Sequence, residues 1–268
     1  MLLALKLLLV PALIGCISLA GQKWGPRVGG ILAGVPSVAG PILFFVTLDQ
    51  GGAFAAQASA GILAGMFAFA AFCICYAQMC RRFHWSVCTL TGYAAFAALT
   101  LGLNELKPAL PLAIGLAMVS LLLIRKLTPV VELISRDGSL TKVELLFRMA
   151  TGAALVLILT QAADALGPRL SGLLTVFPTA TTVLAVFSHR NQGPTHTIQM
   201  LRGMASGLYS FNAFFIVLAL SVESWGLAAF AVAASVSVLC QVAVFRLSRP
   251  ASAPVATKDI SEALSEVR

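Results

Sequence analysis

Few residues in this chain have the chemistry to act on a substrate, and their spacing excludes most kinds of action. Cys73, Cys75 and Cys80 lie near His84, the closest approach to a metal-ligand set. Zinc sites set their ligands in close pairs, and this run does not. No metal is expected. The remaining cysteines, Cys16, Cys88 and Cys240, complete a set that falls mostly inside apolar runs. There a cysteine behaves as a small hydrophobe, so no disulfide framework is implied. His84, His189 and His196 have no nucleophile beside them. The zinc-protease, serine-hydrolase, phosphate-loop and dinucleotide motifs are missing. The expectation is a protein that is not an enzyme and carries no cofactor.

The polar residues that remain gather where two apolar runs are interrupted. Gly34, Pro36, Gly40 and Pro41 break the run 28–48, with Ser37 between the prolines. Pro178 breaks the run 170–188, among Thr175, Thr179, Thr181 and Thr182. Proline removes a backbone donor and crowds the preceding turn. In lipid the freed carbonyls need another partner, so such backbone persists only where protein buries it or a wet cavity meets it. Two readings stay open. The breaks line a substrate path, or they are kinks filled by neighbours with glycine allowing close packing. The hydroxyls likewise either touch a solute or rescue broken backbone.

Arg27 and Arg169 each follow a Gly-Pro pair. Proline suits a helix start, and a positive helix end beside Arg attracts an anion. A headgroup anchor is the plainer reading. Coupling to an ion needs an ionisable group in or near the membrane. The candidates are Asp49, which ends the second run, Asp164, which ends the sixth, and His189, which follows the seventh. No carboxylate stands clearly at mid-membrane.

These residues sit on membrane helices. Charged residues are 10% of the chain and hydrophobic ones 59%, against about 25% charged in soluble domains. The apolar runs are 2–20, 28–48, 53–79, 87–103, 108–124, 145–163, 170–188, 198–222 and 225–245. Runs of about 18 or more apolar residues span a bilayer. The first run, with Lys6 as its one flanking cation, is read as a membrane helix rather than a signal peptide. The net charge of +8 marks loops on the cytoplasmic side and not a nucleic-acid partner.

The chain also repeats itself. Gly25-Pro26-Arg27 aligns with Gly167-Pro168-Arg169, 142 positions on, and Pro36-Ser37 aligns with Pro178-Thr179. The same offset pairs Phe45 with Phe187, Gln50-Gly51 with Gln192-Gly193, Gly61 with Gly203, Gly65 with Gly207 and Phe72 with Phe214. This is a duplicated unit. Residues 1–104 form the first four-helix repeat and 143–247 the second. Residues 105–142 supply an unpaired fifth helix and a cytoplasmic linker, and 248–268 a flexible cytoplasmic tail. The expected fold is all-α and integral to the membrane, with about nine helices in a 4+1+4 arrangement. Five crossings before the second copy invert it, as in many secondary transporters. With the N-terminus outside and the C-terminus cytoplasmic, all of the 18 Lys and Arg except Lys6, Lys107 and Arg169 lie inside, a strong positive-inside bias.

The stretches 171–189, SGLLTVFPTATTVLAVFSH, and 201–218, LRGMASGLYSFNAFFIVL, resemble the GlpM-like family of small bacterial inner-membrane proteins. Members look like single four-helix units with a Gly-Leu…Phe-Pro-Thr segment in the second helix. The resemblance covers about one half, because Val35-Pro36-Ser37 replaces Phe-Pro-Thr in the other. It implies a bacterial inner-membrane location and a link to alginate production, and it gives no residue a role. The leading expectation is a small permease that passes a small solute between the two broken helices. The alternative is a non-transporting accessory factor for envelope or exopolysaccharide assembly. Besides the bilayer and a solute, a homo-oligomer is compatible with the sequence.

Overall fold

The computed structural model describes residues 2–131, 140–174 and 176–247, with side chains described for 7–131, 140–158 and 176–247. These residues fold as α1 (Leu2–Trp24), α2 (Pro26–Ala33), α3 (Ala39–Met79), α4 (Trp85–Leu106) and α5 (Leu110–Leu127). They continue as α6 (Lys142–Leu174), α7 (Thr179–Asn191), α8 (Pro194–Trp225) and α9 (Ala228–Leu247). No strand occurs among the described residues. Six of the helices, α1, α3, α4, α5, α8 and α9, are long and apolar enough to cross a membrane. The chain is an all-α, multi-pass membrane protein.

The surface agrees with lipid as the solvent. Leu8, Leu90, Leu122, Leu220 and Leu239 are largely exposed on helix faces, a pattern that water would penalise and hydrocarbon does not. The interior centres on α3 and α8, the most buried spans. Phe72, Tyr76, Leu63 and Met66 of α3 meet Leu201, Met204, Phe215 and Leu218 of α8 in the same core. α4 packs on α3, α9 packs on α8, and α1 packs on α6.

α5 touches both central helices. Asn212 Nδ2 donates to the Ala117 carbonyl at 3.1 Å from within α8. The carbonyls at the end of α5 are taken up by both halves. Gln78 Nε2 donates to Leu127 O at 2.5 Å, and Arg202 Nη1 donates to Thr128 O at 2.7 Å. Cations and donors suit a helix C-terminus, where carbonyls lack intrahelical partners.

The hydropathy runs and the helices differ in two places. The gap expected between the second and third runs is a single residue, Gly51 (φ 84, ψ 173), inside α3. Glycine alone adopts that conformation readily, so the chain turns there with no loop. In the second half, α6 continues through Gly167 and Pro168 to Leu174, where the sequence places a boundary. A proline inside a helix forfeits one backbone bond and can leave it bent but continuous. Its counterpart Pro26 instead starts α2, after Gly25 at φ 91.

Candidate functional site

Both expected breaks are present. α2 ends at Ala33 and α3 begins at Ala39. α6 ends at Leu174 and α7 begins at Thr179. The hydrogen bonds across the two breaks correspond residue for residue. Ser37 N donates to Val35 O at 2.7 Å, and Thr179 N donates to Phe177 O at 2.7 Å. Each closes a three-residue turn around a proline, and Pro178 (φ −73, ψ 51) has the dihedrals of an inverse γ-turn. Further on, Gly40 N donates to Pro36 O at 3.1 Å and Thr182 N to Pro178 O at 2.8 Å. Backbone that a proline would leave unpaired is thus paired locally, as a lipid setting requires.

The hydroxyls divide into two groups. Ser37 Oγ donates to Val35 O at 3.4 Å, and Thr179 Oγ1 donates to Phe177 O at 3.5 Å. Both bonds lie at the outer limit of hydrogen bonding, and both residues are half-buried. Thr181 and Thr182 are buried. Thr182 Oγ1 accepts a bond from Tyr93 of α4 at 3.0 Å, and Thr181 Oγ1 lies 3.5 Å from Met204 Sδ. Backbone and side-chain partners therefore account for all four. Pro36, Gly40 and Pro178 are buried, while Pro41 faces outward. Thr175 lies outside the described residues, as do the side chains of Asp164 and Arg169.

Each break rests on a central helix of the other half. A Cβ added to Gly34 would lie 2.8 Å from Gly207 Cα, and one added to Gly30 would lie 2.0 Å from Met200 O. One added to Gly203 would meet Arg27 O at 2.2 Å. Gly30 and Gly34 of the first segment and Gly203 and Gly207 of α8 each follow the G-x-x-x-G spacing that brings membrane helices together. At the second break, Val176 Cγ2 would meet a Cβ on Gly65 of α3 at 3.0 Å. The spacing was legible in the sequence, but the partner helix was not.

Of the proposed coupling residues, Asp49 and His189 are not brought together. Asp49 is exposed, two residues before the Gly51 turn. His189 is half-buried, with Nδ1 3.5 Å from the Tyr76 hydroxyl. Gly51 and Tyr76 are 25 residues apart on α3, about 37 Å along a helix, so Asp49 and His189 sit at opposite ends. Arg27 is exposed at the start of α2.

Sequence reasoning missed a polar cluster beside His189. Ser188 Oγ lies 2.8 Å from His196 Nδ1 and accepts from Thr197 Oγ1 at 3.2 Å. Nearby, Arg148 is 4% exposed. It pairs with Glu144 at 2.5 Å, donates to Ser18 Oγ at 3.4 Å and lies over the Phe187 ring. This ties α1, α6 and α7 together at one end. Glu144 and Arg148 are four apart on one helix, which was the available signal. No group of three or more His, Cys, Asp or Glu able to hold a metal occurs among the described residues. No family model, curated protein or solved structure matches the chain.

Proposed function

We propose that this chain is a small inner-membrane transporter in which two inverted copies of a four-helix unit, joined by an unpaired fifth helix, carry a small solute along their proline breaks. The observation that carries the reading is the recurrence of one broken-helix geometry at residues 35–40 and 177–182. Paired breaks in corresponding positions of two halves mark the binding region of many secondary transporters. The weak bonds of Ser37 and Thr179 add to it, because a hydroxyl held at that distance exchanges its carbonyl for a solute at little cost.

The contacts between halves favour inversion over parallel repeats. The ends of α3 and α7 meet through Tyr76 and His189. Five crossings before the second copy put both ends on one face, whereas four would put them on opposite faces. Gln78 with Leu127 and Arg202 with Thr128 join ends of that same face. Gly52 against Val222 joins ends of the other face. Swapping the halves also exchanges contacts: Gly34 against Gly207 becomes Val176 against Gly65. Nine spans in a 4+1+4 order, with the N-terminus outside, follow from this reading and from the charge bias. An origin by duplication of a GlpM-like unit belongs to the same proposal.

The test uses a membrane-impermeant maleimide on a chain lacking its six native cysteines. Ser37→Cys and Thr179→Cys are expected to label, from opposite sides of the membrane. Absence of labelling at both positions from either side would remove the transport reading. Labelling of both from one side only would remove the inversion.

A further inference from the structure

A cleft of about 600 Å³ opens between α2, α5, α8 and α9, and three arginines line it. Arg27 comes from the start of α2, Arg125 from the last turn of α5 and Arg202 from α8. Ser206 and Tyr209 line it one and two turns beyond Arg202, and Val244 of α9 supplies apolar wall. The volume is that of a small-molecule site. Among the described residues no acidic side chain lines it.

Three guanidinium groups in one cleft repel one another, and among the described residues no acidic side chain pairs with Arg125 or Arg202. The arrangement nonetheless holds Arg202 in place. Its Nη1 donates to Thr128 O at 2.7 Å and to Pro129 O at 3.2 Å, both just past the end of α5. Nε and Nη2 have no protein partner among the described residues, which leaves planar donors for a ligand. Arginine forks match the oxygens of phosphate in pairs. A ligand with two or more negative charges would offset the repulsion, and Ser206 and Tyr209 add neutral hydroxyl donors.

We propose that this cleft binds a phosphate-type oxyanion, either a soluble phosphate compound or the headgroup of an anionic lipid. The site does not rest on the transport reading, since it is argued from the cleft alone. The apolar wall and the position at helix ends suit a headgroup, and the volume admits a soluble ligand as well.

The full chain is purified into nanodiscs of phosphatidylcholine, and thermal unfolding is followed with added inorganic phosphate or pyrophosphate at low ionic strength. A second arm compares nanodiscs with and without phosphatidylglycerol, reading retained lipid by native mass spectrometry. Arg125→Gln is the main variant, because no hydrogen bond of the Arg125 side chain to the described residues would be lost. Arg125→Lys keeps the charge, and Arg81→Gln removes one exposed charge away from the cleft. Losing one charge-assisted contact predicts about tenfold weaker binding in Arg125→Gln, partial recovery in Arg125→Lys and none of this in Arg81→Gln. Saturable stabilisation by phosphate or pyrophosphate with that pattern identifies a soluble anion. Retention of phosphatidylglycerol with that pattern, and no response to soluble anions, identifies a headgroup. No response in either arm, or equal effects of Arg125→Gln and Arg81→Gln, overturns the proposal.

Discussion

Gly203→Ala tests how far the close docking of α2 on α8 holds the molecule together. The added methyl would stand 2.2 Å from the Arg27 carbonyl oxygen and 3.0 Å from Arg27 Cα. Even a weak C–H···O contact keeps carbon and oxygen about 3.3 Å apart. Something must therefore yield by about 1 Å, and the obstacle is backbone rather than a flexible side-chain tip. α2 cannot tilt away freely, because Gly30 and Gly34 meet α8 just as closely one and two turns along. A gap of about 1 Å forfeits a quarter to a half of the dispersion energy across a contact. Overpacking of this kind costs about 3 kcal/mol. Replacing a helical glycine by alanine returns about 1 kcal/mol of propensity, so the net loss is about 2 kcal/mol. Gly115→Ala is the control, since Gly115 is exposed on α5 with no neighbour within 4 Å. It is expected to be neutral or slightly stabilising. Unfolding by sodium dodecyl sulfate in mixed micelles, followed by circular dichroism, measures both. Equal stability of the two variants would refute the close-docking argument.

Other substitutions probe separate parts of the molecule. Glu144→Gln strands the Arg148 charge, whose side chain is 5% exposed, and should cost about 3 kcal/mol. The pair Glu144→Gln with Arg148→Met should recover most of that in the same unfolding assay. Gly51 (φ 84) and Gly193 (φ 92) occupy equivalent positions with nothing near a Cβ. Alanine at either should cost about 1–3 kcal/mol of backbone strain alone, and clearly unequal losses would count against an equivalent role. Tyr93→Phe removes the bond to Thr182 and should lower stability by about 1 kcal/mol, with no further loss when Thr182→Val is added to remove the partner hydroxyl.

The helical class and the two breaks were legible because proline and glycine act locally. A fixed offset carried Gly51 to Gly193, and both adopt the same left-handed conformation. Hydropathy was less informative about boundaries. It placed a loop at Gly51, where one glycine turns the chain inside α3, and a boundary near Pro168, where α6 continues. It also measures length and not direction around a helix. The approach of Gly34 to Gly207, or of Arg27 and Arg125 to Arg202, joins positions far apart in the chain. Such meetings depend on which face each helix presents, and an apolar run reads alike on every face. Glu144 and Arg148 were readable as a helical pair, but their burial against Ser18 and Phe187 was not.

The two breaks share a backbone and differ in what grips them. At the first, glycine meets glycine, so α2 lies directly on the backbone of α8. Contact of that kind leaves no side-chain layer to reshape, and its separation exposes no alternative packing. At the second, Val176 takes the position of Gly34 and meets Gly65 through a side chain. Its neighbours Thr181 and Thr182 are tied to Met204 and Tyr93 by side-chain contacts as well. A side-chain layer can exchange rotamers without moving a helix axis, whereas a backbone contact cannot. The two breaks are thus alike in backbone geometry and unequal in compliance. Val176→Gly would remove that layer. It should lose the buried valine methyls, about 2 kcal/mol, unless α3 closes onto the second break as α8 closes onto the first. Unfolding of Val176→Gly distinguishes the two. A loss near 2 kcal/mol means the second segment is held by its side chains, and an undiminished stability would mean that the asymmetry is not built into the fold.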